Sequence, residues 1–199
     1  MDRDTVWQHI DNQRREVADL IDLIDAETPS AWATPSLCAG WTVRNVAAHL
    51  THSTIAAPRM LVEAARSGFR FNAVVDRLAV TDGRPPAELA ESLRAVVGTR
   101  RHPPGTTAIE PLTDVLVHAQ DICVPLGIDR PMPVDAAVAA AERVWAMGFP
   151  FRARKRFAGT RLVATDADFA AGEGREVAAP IRELLLLLTG RETAVADAR

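Results

Sequence analysis

The sequence predicts a mainly α protein, a helix bundle with a small α+β appendage at its C-terminal end. Three observations carry this. Long stretches repeat apolar residues at the 3.6-residue spacing of amphipathic helices. Breaks rich in proline and glycine separate them, such as Asp82-Gly83-Arg84-Pro85-Pro86 and Pro103-Pro104-Gly105. After Pro150 the texture shifts to short, glycine-punctuated segments. Residues 1–150 are therefore expected to form the bundle. Residues 151–199 are too few to hold a core alone and are expected to pack on it.

The first helix is expected from Asp4 to about Asp25, with Val6, Trp7, Ile10, Val17, Leu20, Ile21 and Ile24 in period. Gln13 and Arg14 interrupt its stripe, and the expected arrangement is a splayed surface arginine, with a site-facing one as the alternative. A loop runs from Thr28 to Gly40, pinned by Trp32 and Leu37. The second helix is expected from Thr42 to about Arg66, kinked at Pro58 and stopped at Gly68. Phe69 to Val80 reads as a shorter helix. The next opens on Pro85 or Pro86 and keeps Leu89, Leu93, Val96 and Val97 on the core to about Arg101. A helix then starts near Glu110 with Pro111 at its first position and ends before Gly127. Another spans Val134 to Met147. A strand is expected at Arg161–Thr165, and a hairpin from Phe169–Ala171 through Gly172-Glu173-Gly174 to Arg175–Val177. A last helix opens at Pro180, runs through Leu188 and stops at Gly190, with a polar, fraying tail from Arg191.

Composition narrows the function. With 23 basic and 26 acidic residues the formal charge is −3, which argues against general nucleic-acid binding. The local basic run at Arg152, Arg154, Lys155 and Arg156 reads as a solvated turn. No apolar run is long enough to span a membrane, and Met1-Asp2-Arg3-Asp4 lacks the apolar region of a signal peptide. The two cysteines, Cys38 and Cys123, make no disulfide framework and have no ligand-pair spacing. A cytoplasmic protein is expected, as monomer or homodimer.

The chemistry-bearing residues sit on two helices. In the stretch from Gly40 to His52, Thr42 suits an N-cap and Gly40 a sharp turn before it. Val43, Val46, Ala47 and Leu50 form the apolar stripe. His49 falls at the edge of that stripe, and His52 about 60° further round toward solvent. On the later helix Asp114 and His118 are four apart and share a face, with His118 again on the shoulder of its stripe. Asp121 or Gln120 could orient His118. Two readings stand on these residues alone: hydrogen-bonded structural histidines, or two imidazoles and a carboxylate holding a metal with one position open. That donor set suits zinc, and also non-haem iron. His9 and His102 lack a partner pattern and are expected at the surface. Arg44 could anchor an anionic group of a cofactor, or pair with a helix carboxylate.

The stretch Gly40-Trp41-Thr42-Val43-Arg44-Asn45-Val46-Ala47-Ala48-His49-Leu50, with Cys38 just upstream, closely resembles a motif of the mycothiol-dependent maleylpyruvate isomerase family, within the DinB-like metalloenzymes. Asp114 to Asp121 resembles that family's second motif. Ala164-Thr165-Asp166 and Leu188-Thr189-Gly190-Arg191 are similar to its C-terminal segment. The resemblance implies a DinB-like four-helix bundle. It implies a divalent metal, usually zinc, held by His49, Asp114 and His118, with mycothiol as thiol cosubstrate. The isomerase has glutamate where this chain has Asp114, and a longer C-terminal domain, so its substrate is not carried over. The implied activity is a thiol transferase or isomerase in which a metal-held thiolate attacks a small electrophile. A non-catalytic, metal-stabilised binding or regulatory protein is the alternative, since members of one fold need not share activity.

Overall fold

The architecture is known from a computed structural model that describes residues 1–54, 71–102 and 105–192. Among these residues it is mainly α, with one small sheet. Helix α1 (Arg3–Glu27) opens on Asp2, whose carboxylate accepts from the amides of Asp4 and Thr5, both at 3.0 Å. Beyond it a 3₁₀ turn, Pro29–Ala33, buries Trp32, which donates its indole N–H to Asp25 at 3.0 Å. The loop is thereby pinned as expected at Trp32.

Helix α2 (Val43–Leu50) is closed at its start by a capping box: Thr42 Oγ1 accepts from the Asn45 amide, and Asn45 Oδ1 accepts from the Thr42 amide at 3.0 Å. Its α form ends sooner than expected, giving way to a 3₁₀ turn at Thr51–Thr54 in which Thr51 Oγ1 donates back to the Ala48 carbonyl at 2.7 Å. The expected continuation to Arg66, the kink at Pro58 and the stop at Gly68 lie outside the described residues.

Helices α3 (Phe71–Thr81) and α4 (Pro86–Ala95) flank the Asp82–Pro85 break, with Pro86 at the first position of α4. Helix α4 ends at Ala95, short of Arg101. Gly98, at φ +81°, turns the chain there and donates its amide to Asp11 at 2.9 Å. Helix α5 (Ile109–Cys123) starts one residue early, so Pro111 is its third residue. The first-turn amides have no helical partner, so proline costs nothing there. Glu110 reaches back to accept from the Thr107 amide at 2.7 Å, half of a capping box.

Helix α6 (Val134–Ala146) and the short α7 (Ala153–Arg156) lead to β1 (Thr160–Ala164), β2 (Ala170–Gly172) and β3 (Arg175–Ala179). The expected hairpin between 169–171 and 175–177 does not form. Strand order is β2-β1-β3, with β1 antiparallel to β2 and parallel to β3, so Leu162 faces Ala171 on one side and Val177 on the other. Gly172 and Gly174, at φ +85° and +112°, carry the chain across the end of β1, and Arg175 donates its amide to Gly159 at 3.0 Å. That contact delivers β3 to the far edge of β1. Helix α8 (Ile181–Leu188) follows Pro180 and ends before Gly190 at φ +94°.

Helix α1 packs on α4 and α5, α2 packs on α3, α4 and α5, and α6 packs on α8. Two apolar cores result. One joins Val6, Trp7 and Ile10 to Leu112, Leu116, the α6 alanines, Leu162 and the α8 leucines. The other joins Val17, Ile21 and Ile24 to Val43, Val46, Leu50, Leu89, Leu93 and Ile122. Between the two contributions of α1 lie Asp11, Gln13 and Arg14, all buried. Arg14 is therefore not the splayed surface arginine expected from the stripe, because α1 is covered along this part of its length by both α4 and α5.

The turn into β3 gives a test. A Cβ on Gly174 would be driven into the Gly159 carbonyl, whereas nothing lies within 4 Å of one on Gly83. Gly174→Ala is expected to destabilise by about 2 kcal/mol or more, and Gly83→Ala to change little. Urea denaturation of both variants checks this; equal midpoints would refute the account of the crossover.

Candidate metal centre

The loop ahead of α2 sets the site. Gly40, at φ +81°, and the pairing of Pro35 with Thr42 fold residues 34–42 back on themselves. This buries Trp41 against the site, with its indole N–H donating to Asp76 at 2.8 Å. The Trp41 ring centroid lies 5.1 Å from that of His49 and 6.0 Å from that of His118. Trp41, Asp76 and, below, Arg191 are site residues that sequence reasoning did not single out. The available signal for the first was its place just ahead of the Thr42 N-cap of the helix that carries His49.

Asp114 joins the two histidines. Its Oδ1 is 3.2 Å from His49 Nε2 and 3.4 Å from His118 Nε2. The three donor atoms all lie within 4.8 Å of one another. A tetrahedral ion with bonds near 2.0–2.1 Å needs neighbouring donors about 3.3 Å apart, so these separations already match two edges of such a site. The fit extends to chemistry: two imidazoles and one carboxylate leave a fourth position for an incoming ligand. Asp114 reaches both imidazoles even though it is one methylene shorter than glutamate. It is also the open side of the cluster, with its side chain 35 % exposed against 15 % for His49 and 11 % for His118.

Behind His118 stands a chain of charge. Its Nδ1 is 2.7 Å from Asp121 Oδ2, and Asp121 is fully buried. Arg191 grips the same carboxylate with Nη2 at 2.6 Å and Nε at 3.0 Å. The Nδ1–H donor therefore faces Asp121 and leaves Nε2 toward Asp114, as a metal-binding histidine requires. Asp121, not Gln120, holds this position; Gln120 donates instead to the Arg130 carbonyl at 3.0 Å. Arg191 is not part of a fraying tail, because its guanidinium is tied to Asp121 and to the Thr189 carbonyl at 2.9 Å. His49 Nδ1 is buried without a partner among the described residues.

The other candidates are not donors of this trio. His52 does not point to solvent: its side chain is 9 % exposed and its Nε2 lies 3.0 Å from Asp82 Oδ2. The 82–84 loop folds over it. Arg84 holds that loop by gripping Asp82 and donating to Thr51 Oγ1 at 2.6 Å. Arg44 is committed to the same loop, donating to the carbonyls of Asp82 and Arg84. His9 lies 3.0 Å from Asp135, and His102 stacks on Trp7. Cys38 is half-buried and Cys123 buried; burial pushes both thiols up, Cys123 to about 11.

Burial pushes the Asp114 carboxyl up, but the charge of His49 and hydrogen bonds from both imidazoles outweigh it and hold Asp114 well below the usual carboxylate range. Burial pushes His118 down, but the hydrogen bonds its ring donates to Asp114 and Asp121 outweigh that and raise it to about 9. Without an ion the cluster is thus a proton-bridged pair.

Residues 13–103 match the family model described as the mycothiol maleylpyruvate isomerase N-terminal domain. The matched stretch contains Arg14, Trp41 and His49 and ends before Asp114. No curated protein and no solved structure matches the chain.

In the metal-free protein His118 has a folded value of about 9 against 6.5 for the free side chain. Its contribution to stability is therefore complete below pH 6.5 and is lost as pH rises through about 9. The stability gap between wild type and His118→Gln, both in EDTA, should shrink from pH 6 to pH 10. A gap independent of pH would contradict the ion-pair account.

Proposed function

We propose, from the match of residues 13–103 to the mycothiol maleylpyruvate isomerase N-terminal domain, that this chain is a metal-dependent thiol transferase or isomerase acting on a small electrophile. Mycothiol is the thiol, and zinc is the ion that suits the donor set. The observation that carries the reading is the meeting of His49 Nε2, Asp114 Oδ1 and His118 Nε2, with Asp114 on the open side. Residues 1–150 are the metal-binding bundle in this reading, and the segment from 151 supports it through Arg191. The same trio without turnover would make a binding or regulatory protein, and thiol-dependent conversion of an electrophile separates the two.

A divalent cation at this site supplies a lowered thiol pKa, so that the sulfur is presented as thiolate. The chain does the rest. Asp121 and Arg191 hold the His118 ring so that its Nε2 lone pair faces the site. Trp41 walls both imidazoles and keeps water from one side. Arg44 and Arg84 keep the 82–84 loop closed over His52. Holding thiol and electrophile in one orientation lowers the barrier by removing their freedom to move apart.

Elemental analysis of untagged protein should find about one divalent ion per chain, lost in His49→Ala and His118→Ala and largely kept in His52→Ala. Full occupancy in the first two would refute the site. Arg191→Met should weaken metal binding by about 10–100-fold through its effect on Asp121, measured by competition with a chelating dye.

With cobalt in place of the native ion, mycothiol should produce a thiolate-to-cobalt charge-transfer band that strengthens with pH, because only the thiolate coordinates well. Asp114→Asn should weaken the band and Asp114→Glu retain it. A cobalt spectrum indifferent to any thiol would move the binding-protein reading ahead.

A further inference from the structure

Among the described residues, Arg14 is a buried charge without an ion-pair partner. It is 3 % exposed, on the part of α1 that lies between the two apolar cores. Its one hydrogen bond among the described residues runs from Nη1 to the Val96 carbonyl at 3.1 Å. No carboxylate of the described residues lies within ion-pair distance of it. Two other well-covered arginines differ: Arg191 has Asp121 at 2.6 Å and Arg130 has Glu16 at 2.5 Å. Asp11, three residues before Arg14, is already taken by the Gly98 amide at 2.9 Å and by Arg100 at 2.8 Å.

A structural task does not account for this cost. The Val96 carbonyl already accepts from the Thr99 amide at 3.2 Å and from Thr99 Oγ1 at 2.7 Å, so it does not need a buried guanidinium. Burying an uncompensated charge is among the more expensive things a fold can do. Burial lowers the Arg14 pKa, and the charges of Asp11 and Asp114 oppose that shift without cancelling it. The influence of Asp114 ties Arg14 to the side of α5 that carries the metal ligands, and α1 packs directly on α5. With Nη1 spent on Val96, the planar guanidinium still offers Nε–H and Nη2–H as a fork, with no hydrogen-bond partner for either among the described residues. That fork matches two oxygens of a carboxylate or phosphate.

We propose that Arg14 is an anion-binding residue of the site built by His49, Asp114 and His118, and that the electrophile handled there carries a carboxylate or phosphate that seats on it. The inference rests on the thiol-transfer reading for the identity of the ligand as substrate, not for the existence of the anion subsite.

The test is thermal denaturation of wild type, Arg14→Gln and Arg14→Lys, each metal-loaded and EDTA-stripped. Sodium acetate and sodium phosphate are titrated in separate arms against sodium chloride at matched ionic strength. Wild type should be stabilised by at least one of the two anions beyond the chloride control, and the arm that responds identifies the group. Arg14→Gln should melt higher than wild type without anion, since an isolated buried charge has gone. Its apparent anion affinity should fall about tenfold or more. Arg14→Lys keeps the charge but not the fork, and should respond in between. An unchanged response in both variants, or no response of wild type to either anion, overturns the proposal. An Arg14-dependent response in protein that holds no divalent ion would uphold the anion subsite while removing the metal reading.

Discussion

One oxygen of Asp114 lies between the Nε2 atoms of His49 and His118, and much of the structure follows from keeping it there. The two imidazoles come from different helices, and neither helix alone fixes their separation. The start of α2 is therefore clamped by a capping box at Thr42 and Asn45 and by a glycine turn at Gly40. The same turn buries Trp41 beside both rings. The other helix is referenced from behind, through Asp121 and Arg191. A displacement of the α2 start by one residue would rotate His49 by about 100° and dissolve the cluster.

The polar groups of the site lie where the two apolar cores meet. Along α1, Ile10 belongs to one core and Val17 to the other, with Asp11, Gln13 and Arg14 between them. Across α5, Leu112 and Leu116 serve one core while Val115 and Ile122 serve the other, and Asp114, His118 and Asp121 share that helix. A buried polar layer of this kind is stable only if its members satisfy one another. Asp121 and His118 do so within the chain, through Arg191. Arg14, with no carboxylate at ion-pair distance, Gln13 through its Oε1 and the buried Nδ1 of His49 do not, among the described residues.

Much of this was legible before any coordinates. The helix starts at Thr42 and Pro86, the stops at Gly127 and Gly190 and the placing of His49 and His118 on the shoulders of their stripes are local properties, set by caps, proline and a 3.6-residue period. What escaped was non-local. Whether Arg14 splays outward depends on α4 and α5 covering α1, which no window on α1 reveals. His52 looked solvent-facing because the wheel knows nothing of the 82–84 loop that closes over it. The strand pairing failed for a related reason: Gly172 and Gly174 read as a tight turn, yet the crossover contact at Gly159 decides which edge of β1 receives β3. Arg191 was hidden by polarity alone, since a charged residue after the last helix is ordinarily solvated.

The site also divides the chain unevenly. The match to the isomerase N-terminal domain spans residues 13–103 and includes His49, whereas Asp114, His118, Asp121 and Arg191 all lie beyond it. The α2 segment contributes one donor and the wall at Trp41; the later part contributes two donors and the whole chain of charge behind them. Neither part can position an ion by itself, because one imidazole makes no chelate and because Asp114 is oriented by His49 as much as by His118. Arg191 makes the dependence longer still: it follows α8, whose leucines pack with the sheet and α6 in the first core. The appendage is therefore coupled to the donor set by a buried ion pair, and changes in how α8 packs act on His118 through Asp121 rather than through the bundle surface.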